Sequence, residues 1–89
     1  MKVYIIQAEL NGCFDYTTTL LVVKKESGFE HIKAILKEKI AKVCKYYDYL
    51  KLSEERLEEV VNKLTTDSNY EEIGNYREVI LTKELVNVY

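Results

Sequence analysis

The chain has no proline and no tryptophan, and only three glycines, two cysteines and one histidine in 89 residues. Each shortage removes a class of chemistry. With three glycines there is no glycine-rich loop to cradle a phosphate. His31 cannot form a Ser-His-Asp or Cys-His set without invention, since the nearest cysteine in sequence, Cys44, points to a different side of the same expected helix. Cys13 and Cys44 lie outside the usual zinc and thiol-redox spacings, so both are expected as free thiols, with no metal and no cofactor. Paired acids such as Glu71 and Glu72 are too common to mark general acid-base machinery. There is no long uncharged apolar run either: "MKVYII" is followed by Gln7 and Glu9. That excludes a spanning helix and a secretory signal peptide, and the expected compartment is the cytoplasm. A non-enzymatic protein is the expectation.

What is present is enough to fold. Hydrophobic residues make up 47% and charged residues 31% of the chain, which is the balance of a globular domain rather than a disordered one. The length suits a single domain over 1–89. Eight of the ten aromatics are tyrosines, which carry a polar group wherever they carry ring area and are enriched at interfaces.

The net charge of −2 conceals two opposed blocks. Lys24 to Lys51 holds eight lysines against four acids, and Glu54 to Glu78 holds eight acids against three bases. This is not the pattern of a simple polybasic nucleic-acid binder; it provides two surfaces of opposite sign.

"KVYIIQAEL" and "FDYTTTLLVVKK" are rich in β-branched and aromatic residues and are separated by Asn11-Gly12-Cys13, a hairpin signal. A two-residue loop would mix threonines and Asp15 with Tyr4, Ile6 and Ala8. A three-residue loop pairs Leu10 with Phe14, Ala8 with Tyr16, Ile6 with Thr18 and Tyr4 with Leu20, giving one coherent apolar face, and is preferred because a one-residue slip inverts every side chain. The opposite face then carries Val3, Ile5, Leu21 and Val23 at its far end.

After Gly28 the period becomes helical. Phe29, Ile32, Leu36, Ile40, Val43, Tyr47 and Leu50 form one stripe, which predicts a helix of about six turns. A second helix is predicted from Ser53, an N-cap residue followed by Glu54 and Glu55, with Leu52 and Leu57 placed as a hydrophobic staple and Leu57, Val60, Val61 and Leu64 as the buried face. "TTDSNYEEIGN" reads as a loop and "YREVILTKELVNVY" as a closing strand beside the first. The expected fold is α+β: a two-layer ββααβ sandwich with a three-stranded antiparallel sheet and both helices on one face.

Two surfaces are candidates for contact. The first is acidic: Glu55, Glu58, Glu59 and Asn62 on the second helix, continued by Asp67, Glu71 and Glu72. Carboxylates at this spacing would imitate the phosphates of a nucleic acid and engage the basic groove of a nucleic-acid-binding partner. The second is a ridge of Lys39, Lys42, Tyr46 and Tyr49 flanking the first helix, where interleaved cations and rings suit a nucleic acid or nucleotide. A third reading is a homodimer through the Val3, Ile5, Leu21 and Val23 face or an unpaired strand edge.

In layout, "MKVYIIQAEL", the Thr-rich strand, the lysine-rich helix and the terminal "REVILTKELVNVY" resemble the small proteins of bacteriophages and other mobile elements. Some of these are anti-CRISPR or other anti-defence proteins of similar size and acidity. The resemblance implies an inhibitor that binds a host protein stoichiometrically; it transfers no functional residue, and the acidic helix with the loop after it is expected as the contact surface from the excess of acids after Ser53.

Overall fold

The computed structural model describes residues 1–11 and 16–89. Strands β1 (Lys2–Leu10) and β2 (Tyr16–Lys24) are followed by two short 3₁₀ turns and by helices α1 (Lys33–Cys44) and α2 (Glu54–Leu64), and strands β3 (Tyr70–Ile73) and β4 (Val79–Asn87) complete the chain. The α+β class holds, but the sheet has four antiparallel strands in the order β2-β1-β4-β3. The additional strand lies in the stretch expected as a loop. Two adjacent glutamates give "YEEI" little strand propensity of its own. It is made by its hairpin with β4, whose turn uses Gly74 at φ 98 and Arg77 at φ 54. The closing strand does pair with the first, from Lys2 opposite Asn87 to Leu10 opposite Val79.

The hairpin register differs from the expected one. Leu10 lies opposite Tyr16 rather than Phe14, Ala8 opposite Thr18 and Ile6 opposite Leu21. Phe14, and with it the turn at Gly12 and Cys13, falls outside the described residues. Toward the turn the apolar face survives, because the shift is by two residues and two restores the side. Beyond it, a β-bulge between Ile6 and Gln7 inserts one extra residue in β2. As a result Leu20, Leu21 and Val23 pack with the core, while Val22 turns to the open face and is 58% exposed. The expected patch of Val3, Ile5, Leu21 and Val23 therefore does not exist as one surface. Val3, Ile5 and Val22 alternate to the opposite side of the sheet, where Val3 is nonetheless buried.

One core joins the layers: Ile6, Ala8, Leu10, Ile73, Val79 and Leu81 from the sheet meet Leu36, Ile40 and Val43 of α1 and Leu57, Val60, Val61 and Leu64 of α2. α2 is as its sequence implies. The Ser53 hydroxyl accepts a hydrogen bond from the Arg56 N–H at 3.1 Å, and the predicted four residues are the buried ones. α1 is shorter than six turns. It is preceded by the 3₁₀ turn Glu30–Ile32, with Ile32 at φ −112 and ψ 0, and after Cys44 the backbone tightens so that the N–H groups of Lys45, Tyr46 and Tyr47 donate to the carbonyls three residues back. The tightening lets the Tyr47 hydroxyl donate to the Asn11 carbonyl while Leu50 packs on the core.

Cys44 is buried at the end of α1, and burial pushes its thiol up to about 11 from 9.0. The unfolded chain therefore ionises this thiol first, and stability falls as pH rises from 9 toward 11. The size follows from the shift, about 2–3 kcal/mol. In a Cys13→Ser background, urea unfolding at pH 8.5 and 11 is expected to show this loss, and Cys44→Ala is expected to remove it. An identical pH slope in both proteins would contradict the assignment.

Candidate lysine-lined cleft at the sheet edge

β2 is an outer strand of the sheet, and among the described residues nothing hydrogen-bonds to its outer backbone edge. The edge carries little protection of its own. Tyr16 to Val23 contains no charge and no proline, the devices that ordinarily discourage strand addition. The other outer strand, β3, is four residues long and bears Glu71 and Glu72. The bulge divides β2 into a largely exposed polar half, Tyr16 to Thr19, and an apolar half of which Leu20, Leu21 and Val23 pack on the core.

A cleft of about 500 Å3 runs beside the polar half. Its sheet wall is Tyr16, Thr18, Thr19 and Leu20; its helix wall is Lys39, Lys42 and Val43 of α1 with Lys45 and Tyr46 just beyond. Helical spacing aligns the lysines, since residues three apart lie on one face. Among the described residues no carboxylate lies within ion-pair distance of Lys39, Lys42 or Lys45, whereas Lys33 pairs with Glu30, Lys37 with Glu54 and Glu58, and Lys63 with Glu59. Tyr16 is 48% exposed and Tyr46 is 67% exposed. Three cations, two rings and an open backbone edge thus converge on one concave surface.

Of the sequence-derived ridge, Lys39, Lys42 and Tyr46 come together here. Tyr49 does not join them. It stacks edge-on against Tyr47 at 6.0 Å and lines a second cleft, with Arg56 and Gly74. The six-turn wheel places Tyr46 and Tyr49 on one flank, but α1 ends at Cys44 and both tyrosines lie in the turns beyond it, where the helical spacing no longer holds. Lys45 and the β2 wall were not read from the sequence. Lys45 was legible as the third lysine at i+3 spacing; the wall was not, because it depends on which strand ends at the edge.

Several members of the acidic candidate are held by partners within the molecule. Glu58 is bonded by Lys37 at 3.2 Å, and Glu59 by Arg56 at 3.1 Å and Lys63 at 3.0 Å; Lys63, with Arg56, holds the Glu59 carboxyl below its usual range. Glu71 accepts from the Ser68 hydroxyl. Glu72 accepts from the Tyr70 hydroxyl at 2.7 Å, which raises that phenol above its usual value, and it sits opposite Ile80 on the open sheet face, away from α2. Glu55 and Asp67 make no ion pair among the described residues, and Asn62 lines a small pocket with Lys33, Lys37 and Glu58. Glu55, Glu58, Glu59 and Asn62 share one side of α2 by helical spacing, with Glu58 and Glu59 tied to cations, while the Glu72 carboxylate lies on the sheet.

His31 is exposed in the turn Glu30–Ile32 and has no hydrogen-bond or ion-pair partner among the described residues. Among those residues no group of three or more His, Cys, Asp or Glu is placed to hold a metal ion, and no helix is long and apolar enough to cross a membrane. No protein-family model, curated protein or solved structure matches this chain.

Proposed function

We propose that the protein is a non-enzymatic binding protein that modulates a partner by occupying one of its anionic segments, and that the cleft between β2 and α1 is the contact surface. The observation that carries this reading is the set of three lysines, Lys39, Lys42 and Lys45, that line one cleft without an ion-pair partner among the described residues. Lysines held together in the unliganded protein repel one another, and an incoming carboxylate or phosphate relieves that repulsion. The resemblance of the sequence's layout to small phage anti-defence proteins is in keeping with a role exercised by contact alone. A contact through the acidic helix is the second reading, favoured by Glu55, whose exposed carboxylate has no cation paired to it among the described residues.

One titration tests the cleft. Fluorescein-labelled octaglutamate, followed by anisotropy at low salt, is expected to bind the wild-type chain. Binding should fall at least tenfold in the triple variant Lys39→Glu, Lys42→Glu, Lys45→Glu and decline with added salt. Glu55→Lys with Glu58→Lys should leave it unchanged or strengthen it slightly. Equal binding by wild type and the lysine triple variant, or none by either, would remove the cleft from consideration.

A further inference from the structure

The cleft has a feature that charge alone does not use: one of its walls is the unpaired edge of a strand. We propose that the occupant is an extended, acidic segment of a partner protein that adds as a fifth strand to β2 along Tyr16 to Leu20, with alternate carboxylates turned toward Lys39, Lys42 and Lys45. This inference rests on the binding role of the cleft and specifies how that role is performed.

Three observations lead to it. The outer N–H and C=O groups of β2 have no partner among the described residues, and an extended peptide is the ligand that satisfies a row of alternating donors and acceptors spaced along a strand. All three lysines lie on the helix side of that edge, so an added strand, whose side chains alternate between faces, presents every second residue to them. That geometry selects acidic residues at i, i+2 and i+4 and leaves the intervening residues facing the open side of the sheet, where Thr17 and Thr19 are exposed. The bulge opposite Ile6 and Gln7 sets the limit of the site: it twists the strand beyond Leu20, so pairing is confined to the half of β2 that borders the lysines. A nucleic acid strand would use the lysines and the exposed faces of Tyr16 and Tyr46 but would leave the strand edge unpaired. A second copy of this chain would bring β2, which has no acidic residue from Tyr16 to Lys24, against three lysines. The edge and the charge together favour the acidic strand.

The test uses the full chain and three labelled probes of equal charge, each an eight-residue peptide with blocked ends. The first alternates glutamate and threonine; the second is its block isomer, with all the glutamates preceding all the threonines; the third is the alternating peptide N-methylated at every second residue, made in both phases. The alternating peptide is expected to bind at least fivefold more tightly than the block isomer. One phase of N-methylation should abolish binding by removing the donors aimed at β2, and the other should be tolerated. Amide hydrogen exchange of β2 should slow at alternate residues on binding the unmodified peptide. Equal affinity for both isomers together with tolerance of both methylated phases would overturn strand addition while leaving anion binding by the cleft in place. Tighter binding of an oligothymidylate than of the alternating peptide would also overturn it. So would a dimer in light scattering that the peptide does not dissociate, since a second copy would then hold the edge. Loss of all binding in the lysine triple variant, with no preference among probes in the wild type, would identify charge alone as the determinant.

Discussion

Gly74→Ala is expected to destabilise the protein by on the order of 3–5 kcal/mol, a large part of the total stability of a domain this size. Two independent costs combine. Gly74 sits at φ 98, a backbone conformation that residues with a Cβ adopt only under strain, which alone is about 1–3 kcal/mol. A Cβ added there would lie 2.3 Å from Glu78 Oε1, 2.7 Å from its Cδ and 3.0 Å from Leu50 Cδ1. The carboxylate cannot simply swing away. Glu78 is buried, and its Oε1 accepts the Tyr76 N–H at 2.7 Å, so movement leaves a buried acceptor and a backbone donor without each other.

The consequences extend beyond the turn. The Asn11 N–H donates to the Glu78 carbonyl at 2.9 Å, its side-chain amide donates to the Arg77 carbonyl at 3.0 Å, and its own carbonyl receives the Tyr47 hydroxyl. Asn11 is thus the joint at which the β3–β4 turn, the end of β1 and the turn after α1 meet. Gly28→Ala serves as the control, because Gly28 also has positive φ, at 70, but a Cβ there has nothing within 4 Å. It should cost the backbone strain alone, about 1–3 kcal/mol, because φ 70 with ψ −174 is a region that residues with a Cβ rarely enter. Urea unfolding of both variants checks the ordering, and a Gly74→Ala protein whose stability matches that of wild type would show that the turn relaxes freely. In the double variant Gly74→Ala, Glu78→Ala the clash with Glu78 is gone and only the contact with Leu50 remains, so the combined loss should be less than the sum of the two single losses.

What the sequence made legible follows from how local each signal is. α2 is specified within its own residues: a serine cap, two acids in the first turn and an apolar face at helical spacing, all of which the structure retains. β1 and β4 carry enough β-branched residues to be read alone. The bulge at Ile6 and Gln7 left no local mark, because Leu20, Leu21, Val22 and Val23 are an unbroken apolar run in which either alternation looks acceptable. β3 exists only as a partner to β4. The stripe from Phe29 to Leu50 has perfect helical spacing, yet α1 occupies only its middle, because contacts from Tyr47 and Leu50 to distant residues reshape the end. The lysine ridge was visible as a row on one helix; its position beside an open strand edge required the strand order. Lys83 escaped notice altogether, although a lysine between Leu81 and Leu85 in a closing strand, two residues from a core leucine, is a signal that a polar group enters the interior.

Lys83→Met is expected to cost about 1–3 kcal/mol and Lys83→Ala about 3–5 kcal/mol. The side chain lies opposite Ile6 on the helix side of the sheet and is only 8% exposed. Its ammonium donates to the Leu64 carbonyl at 2.6 Å and the Thr66 carbonyl at 3.3 Å, so a strand residue caps the C-terminus of α2, where the helix dipole is negative. It also lies 5.5 Å from the centre of the Tyr4 ring and 5.3 Å from that of Phe29. Methionine keeps the stem and loses the donors, leaving the two carbonyls without their charged partner; alanine adds a cavity beneath Phe29. Against this stands the cost of removing an ammonium from water. Burial holds Lys83 below its usual 10.5, an effect that the charge of Asp67 opposes. With the folded value below the unfolded one, the folded chain releases this proton first, so the Lys83 contribution to stability rises with pH up to 10.5, opposite in sign to that of Cys44. In a Cys44→Ala background, Lys83→Met should abolish that rise. A Lys83→Met protein more stable than wild type at neutral pH would show that desolvation outweighs the two carbonyls and the two rings, and that α2 needs no cap from the sheet.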